Sequence, residues 1–224
     1  MKKTLSIILT LILCACLLAG CKLKVPGAIS SATPSEEPSL KNVVNPLEES
    51  LDIKNLENCT VAVSLEKGDA FVDDNGKLVM KVKAYSYDLY DMVDIASLKE
   101  NDVIVRLGEE VEIKKIERLE TGLVRINDGE ENGGFDLISN DSTVYYEIGM
   151  SDVKAYYELG EVTLPVSTDF VYLDESDLDA EKKEYYPGDF LTDNEGIRYD
   201  FNPNNTSIVI ENGVIIEMKK VYTP

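Results

Sequence analysis

Asp73-Asp74-Asn75-Gly76-Lys77-Leu78-Val79-Met80-Lys81-Val82-Lys83-Ala84-Tyr85 is the stretch that decides the fold class of this 224-residue chain. Leu78, Met80, Val82 and Ala84 alternate with Val79, Lys81, Lys83 and Tyr85, the period of two that sends successive side chains to opposite faces of a strand. Asn75-Gly76 ahead of that run signals a hairpin, because both positions tolerate positive φ. Strand patterning recurs at 59–63, 103–107, 111–119, 123–126, 135–138, 143–148, 161–166, 170–173, 197–201, 207–211 and 214–222. Helical character is thin: 94–100 and 152–159 each make about two turns, the second stopped by Gly160. Many short strands with frequent turns predict a mainly β protein, an antiparallel barrel or sandwich with a few short helices.

An internal similarity refines this expectation. Val103-Ile104-Val105-Arg106-Leu107-Gly108 and Val111-Glu112-Ile113-Lys114-Lys115-Ile116 align without gaps with Ile208-Val209-Ile210-Glu211-Asn212-Gly213 and Ile216-Glu217-Met218-Lys219-Lys220-Val221. Two small related β subdomains, 58–150 and 151–224, would explain it; convergent hairpin chemistry explains it equally well. The residues from 58 to 224 suffice for one good core or two small ones.

Upstream of residue 58 the composition changes. Asn45-Pro46-Leu47-Glu48 has the pattern of a helix start, Asn capping and Pro in the first turn, and predicts a short helix over 46–56. Residues 22–44 carry Pro26, Gly27, Ser30, Ser31, Thr33, Pro34, Ser35 and Pro38 with few large apolar groups, the composition of a tether. Its flexible span is of order 25–30 Å. Residues 21–57 are therefore expected to link, and 58–224 to fold.

Lys2 and Lys3 precede an almost unbroken apolar run from Leu5 to Leu18, closed by Ala19, Gly20 and Cys21. The run is shorter than the roughly 20 residues a spanning helix needs. Leu18-Ala19-Gly20-Cys21 resembles the lipobox of bacterial lipoproteins without a departure. The resemblance covers residues 1–21. It implies a signal peptide over 1–20, cleavage between Gly20 and Cys21, and a diacylglyceryl group on the Cys21 thiol. Acyl chains contribute about 0.8 kcal/mol per buried methylene, and two or more of them anchor stably. The expected location is thus the extracytoplasmic face of a cell membrane. Lys22 rather than an aspartate after the cysteine leaves the membrane open, and the excess of lysine over arginine suggests a single-membrane bacterial host.

The chain holds 42 acidic and 22 basic residues and no histidine. Without 1–20, which contain two of the lysines, the net charge is −22. That disfavours nucleic acid and anionic lipid headgroups as partners, because phosphates recruit Lys/Arg clusters. The missing histidine removes Ser-His-Asp and Cys-His nucleophiles, histidine metal ligands and imidazole proton shuttles. With Cys21 acylated, Cys59 has no disulfide partner and reads as a small buried hydrophobe.

Several groups of acids are candidate cation ligands, since calcium collects six to eight oxygens from such loops. Asp88, Asp91 and Asp94 recur every three residues. Asp174, Asp177 and Asp179 crowd one segment with Glu175 and Glu181, and shorter groups lie at 73–75 and 193–195. None matches the Asp-x-Asp-x-Asp-Gly loop. No phosphate loop or nucleophile elbow is present. The twelve tyrosines make a tyrosine-lined surface conceivable, although tyrosine is also an ordinary strand former. The expectation is a lipid-anchored, non-catalytic envelope protein without a cofactor, which binds an envelope or extracellular partner or serves surface structure. The alternative is calcium or other cation binding through acidic loops, and a carboxylate- or tyrosine-dependent enzyme ranks third.

Overall fold

The computed structural model describes residues 41–48, 51–139, 143–149, 152–192 and 194–223. Gly20, Cys21 and the tether as far as residue 40 lie outside them. The chain is mainly β, as the alternation predicts. Along it run β1 (Val43–Val44), β2 (Cys59–Ser64), β3 (Ala70–Val72), β4 (Leu78–Ser86), β5 (Leu89–Asp91), α1 (Met92–Ser97), β6 (Val103–Arg106), β7 (Glu109–Glu112) and β8 (Ile116–Arg118). There follow β9 (Val124–Ile126), β10 (Phe135–Ile138), β11 (Val144–Ile148), β12 (Tyr157–Glu175), β13 (Lys183–Tyr185), α2 (Pro187–Leu191), β14 (Thr206–Glu211) and β15 (Val214–Val221).

The diagnostic hairpin forms where expected. Val72 faces Leu78 across a five-residue loop, in which the Asp73 carboxylate accepts from the backbone of Asn75 (2.9 Å) and Lys77 (2.8 Å). Gly76 takes φ 78°, which an L side chain resists.

Five strands close into a barrel. β2 pairs with β4, β4 with β12, β12 with β15, β15 with β14, and β14 returns to β2. Only the β12–β15 contact in this ring is parallel. Numbered one to five along the chain, the ring runs 1-2-3-5-4-1, the connectivity of the five-stranded Greek-key barrels of OB type. β12 makes this possible. Its first part, from Tyr157 to Pro165, pairs with β4, and its last part, from Val171 to Glu175, pairs with β15. The β15 pairing starts at Val166 and shifts register between Val166 and Val171, and a bulge at Leu159 in the β4 pairing adds to the twist. The stretches expected at 161–166 and 170–173 are therefore one element.

Inward residues of the ring, among them Val61, Val63, Met80, Val82, Ile208, Ile210, Ile215 and Met218, make one core. Pro187 in the first turn of α2, with Asp189 accepting from the Tyr186 N–H (2.7 Å), sets the short helix that delivers Phe190 into the same core. There Phe190 meets Phe170 and Tyr172 edge-on, with centroids 5.9 and 5.7 Å away. The 197–201 stretch, expected as a strand, is irregular, yet Ile197 and Phe201 are buried in this core.

A second core lies in the excursion between β4 and β12. β5-β11-β10-β9-β8 form an antiparallel sheet, and β1-β6-β7 a second one. Tyr90, Ile95, Ile104, Ile113, Ile126 and Leu137 pack together with Val44 of β1. Arg106 grips Glu147 through two hydrogen bonds (2.5 and 2.6 Å), and Arg125 grips Asp136 likewise (2.9 Å each). Arg118 donates to the carbonyls of Ile95, Ala96 and Leu98, closing the C-terminal end of α1. Two cores thus exist, but one is inserted in the other rather than following it. Residues on both sides of position 150 build the barrel core, Val61 to Ala84 before it and Leu164 to Met218 after it.

Other expectations shift. The helix over 46–56 is absent at 45–48, and a single 3-10 turn occupies Ile53–Asn55. The helix over 152–159 is a bridge at Lys154 followed by the start of β12, because the chain from Tyr157 onward goes to strand and Gly160 (φ 136°) serves the bulge region rather than a helix end. The tether stops earlier than residue 44, for Val43–Val44 pairs in parallel with β6. The aligned segments 103–116 and 208–221 both begin as hairpins with two-residue turns, Leu107-Gly108 and Asn212-Gly213, all four residues at positive φ. One lies in the inserted unit and the other in the closed barrel. Cys59 is a free thiol packed against the barrel core, and burial pushes its pKa up.

Candidate functional site

Alternation along three barrel strands builds one outer face. In β2, Thr60, Ala62 and Ser64 point away from the core that holds Val61 and Val63. In β4, Lys81, Lys83 and Tyr85 oppose Met80, Val82 and Ala84. Register sets Ser64 and Glu161 on either side of Lys83, and Ala62 and Glu158 on either side of Tyr85. The Tyr85 hydroxyl lies 3.0 Å from Ser64 Oγ.

Two recesses open on this face at neighbouring positions. The first, about 430 Å³, is polar, with Glu66, Asp69, Lys81, Lys83 and Glu161 around it and Tyr199 and Phe201 as its aromatic wall. Lys81 pairs with Glu161 at 3.0 Å, and that bond holds the Lys81 ammonium above its usual pKa. The second, about 170 Å³, sits at the seam between barrel and insert. Four tyrosines line it, Tyr85, Tyr87, Tyr156 and Tyr157, together with the apolar Leu51, Ala62 and Leu89 and, as the acidic residue among the described ones, Glu48.

The seam is where the chain leaves and re-enters the barrel. Tyr87 follows β4 and Tyr156 precedes β12, and their rings meet edge-on at 5.3 Å. Lys154 Nζ lies 3.6 Å from the Tyr87 ring centre, 5.0 Å from that of Tyr146 and 5.9 Å from that of Tyr156. An ammonium thus sits within cation–π range of three rings. Burial pushes the Tyr156 hydroxyl up to about 12.

The acidic candidates are distributed otherwise than a cation site needs. Asp88 is a junction: one carboxylate oxygen accepts from the Leu107 N–H (2.7 Å) and the Tyr90 hydroxyl (3.3 Å), the other from the Tyr157 hydroxyl (3.3 Å). It ties insert to barrel. Asp91 caps α1 by accepting from the Val93 N–H (2.7 Å), and Asp94 is exposed in that helix's first turn. Asp174 is buried and takes the Ser176 N–H (3.0 Å) and hydroxyl (2.6 Å). Asp177 accepts from the Asp179 N–H (3.1 Å) in an exposed loop. The structure brings neither trio together. Among the described residues no group of three or more acidic or cysteine side chains is arranged to hold a metal ion.

One polar cluster was not foreseen. Lys220 points into the end of the barrel with its side chain 2% exposed and pairs with Asp200, itself 55% exposed. The ammonium also approaches the Arg198 carbonyl (3.4 Å) and the Phe201 ring (5.4 Å). Burial works to raise the Asp200 pKa, but the Lys220 hydrogen bond and charge outweigh it and hold the carboxyl low. At Asp174, burial is likewise outweighed, by the two Ser176 hydrogen bonds and the Lys220 charge. The signal was present: Lys220 shares the inward phase of Met218 two residues before it. Lys154 was missed because a helix was expected there.

Fold and face together define a closed five-stranded barrel that carries a second β core and a tyrosine-lined seam. Comparison with protein-family models, curated proteins and solved structures found no match to the chain.

Proposed function

We propose that the protein is a lipid-anchored, extracytoplasmic, non-catalytic binding module that holds its ligand on the outer face of β2, β4 and β12. The observation that carries the reading is the pair of recesses on that face, one polar with an aromatic wall and one lined by four tyrosines. Recesses at the joint of two packed units are common ligand sites, and the barrel strands supply a rigid floor. The side chains around the polar recess already pair with one another, as Lys81 does with Glu161, which suits recognition more than proton transfer. A net charge of −22 on the chain beyond residue 20 favours a neutral or cationic ligand over nucleic acid. Membrane attachment rests on the lipobox resemblance of Leu18-Ala19-Gly20-Cys21.

Two measurements test this. Membrane fractionation of Cys21→Ser should show release or blocked processing; an unchanged membrane fraction defeats the anchor. Photo-crosslinking in cells from position 85 should trap a specific envelope or extracellular partner that position 117, on β8 of the insert, does not. Equal or absent crosslinks at position 85 remove the binding face.

A further inference from the structure

We propose that the seam recess binds an alkylammonium group, which the rings of Tyr87 and Tyr156 receive in competition with Lys154. This rests on the reading of the outer face as a binding face and names the chemistry of its ligand.

The rings already hold a cation. Lys154 shows that these rings accept an ammonium, since its Nζ stands 3.6 Å from the centre of Tyr87 with Tyr146 and Tyr156 within 6 Å. Cation–π attraction of this kind is the usual way that aromatic cages hold ammonium ligands. Tyr87 and Tyr156 also line the adjoining recess of about 170 Å³, so the same rings serve an internal cation and an open space. The space has room for a small alkylammonium. Among the described lining residues the acidic one is Glu48, and the chain as a whole is strongly acidic, so the local field favours a cation. The Tyr85 and Tyr157 hydroxyls are engaged with Ser64 and Asp88, which fixes those rings as walls.

Lys154 then acts as a tethered competitor. A group held on a short segment presents itself at an effective concentration of order millimolar. An external ammonium must exceed that, so the wild-type protein should bind weakly and the protein without Lys154 more tightly. Alkylammonium groups occur in polyamines and in lysine side chains, and the shared chemistry is what the rings read.

The test uses the full-length protein in neutral detergent. Tyrosine fluorescence is clean in a chain with twelve tyrosines and no tryptophan. Tetramethylammonium chloride and cadaverine are titrated against sodium chloride at equal ionic strength. Wild type should saturate in the millimolar range, Lys154→Met at least tenfold lower, and Lys154→Met combined with Tyr87→Leu should lose saturation. Binding of cadaverine without tetramethylammonium overturns the cage, because it points to a carboxylate alone. No saturation in folded Lys154→Met up to about 50 mM overturns the proposal outright. Should that variant not fold, carbon NMR of the wild-type Lys154 ε-methylene decides. Its ring-shifted signal must move toward the free-lysine position as tetramethylammonium is added, and a stationary signal overturns the proposal. Spermidine against a lysine tripeptide then separates a small amine from a peptide as source. A negative titration beside a persistent crosslink at position 85 removes the ammonium and keeps the binding face.

Discussion

Lys220 and Asp200 form an unequal pair, and the inequality predicts an asymmetric mutational response. The lysine side chain is 2% exposed and the aspartate 55%. Asp200→Ala leaves an ammonium buried among Met218, Phe201 and the rest of the barrel end with only the Arg198 carbonyl and the nearby Asp174 charge to compensate it. Stripping one partner from a buried pair costs about 3–5 kcal/mol, and because Asp200 is half in water a loss of about 2–4 kcal/mol is expected here. For a domain of this size that corresponds to a fall in Tm of roughly 4–16 °C. Lys220→Met instead leaves Asp200 free to hydrate, while Asp174 keeps both Ser176 hydrogen bonds. Methionine fills the apolar volume of the lysine stem, so the change should stay within about 1 kcal/mol. The double variant should recover most of the loss seen in Asp200→Ala alone. Urea unfolding followed by tyrosine fluorescence and circular dichroism measures all three. If Lys220→Met proves as damaging as Asp200→Ala, or the double variant no better than Asp200→Ala, the burial argument is wrong.

Stability should be flat with pH between about 5 and 8, because the chain has no histidine, the one side chain that ordinarily titrates there. Asp174 and Asp200 are held below the unfolded value near 3.9, so their contribution is present above about pH 4 and lost as pH falls through their folded pKa values; calorimetry showing a step between pH 5.5 and 7.5 would contradict this. Gly134→Ala should destabilise by about 3 kcal/mol or prevent folding, since a Cβ there would lie 2.0 Å from the Ile126 carbonyl oxygen and 2.4 Å from that of Asn127. A thermal melt within 2 °C of wild type would refute the clash. Arg118→Ala removes three charge-assisted bonds at the end of α1 and should cost about 1.5–3 kcal/mol, with hydrogen exchange rising at Ile95 to Leu98 as the local check.

The strands were legible where one face is wet and the other buried. Phe135–Ile138 and Val144–Ile148 emerge within a residue of the alternation that predicts them, and the loop at Asp73–Lys77 from its Asn-Gly pair. Gly160 was misread because a glycine after an acidic, tyrosine-rich run has the same appearance as a helix end and as a strand bulge. Only the partner strand, some 75 residues upstream, decides between them. The order of the ring was invisible for the same reason: nothing local tells β12 to leave β4 and join β15. α2 was missed because five residues carry too little periodicity, although Pro187 and Asp189 held its start signal. The tyrosines of the seam were seen as residues, but their convergence depends on two crossings that lie about 70 residues apart. The local uses of the acidic groups were hidden for a different cause. Each carboxylate had a nearer use, as a helix cap at Asp91, a loop brace at Asp73 or a joint at Asp88.

Val43–Val44 has a mechanical consequence. It fastens the N-terminal segment to the inserted unit through β6, helped by Lys41 on Glu112 and by the Leu47 N–H on the Leu89 carbonyl. The next fixed points are Leu51 and Ile53, packed against the barrel core, followed by the buried Leu56. Tension applied upstream of residue 41 therefore reaches a latch two residues long before it reaches the closed ring. Releasing the chain from 41 to 50 would pay out roughly 34 Å at about 3.4 Å per residue. A force trace lacking a first small step of that size would show that the latch bears no load. With the step, the N-terminal segment lengthens under pull while the barrel and its tyrosine-lined face keep their shape.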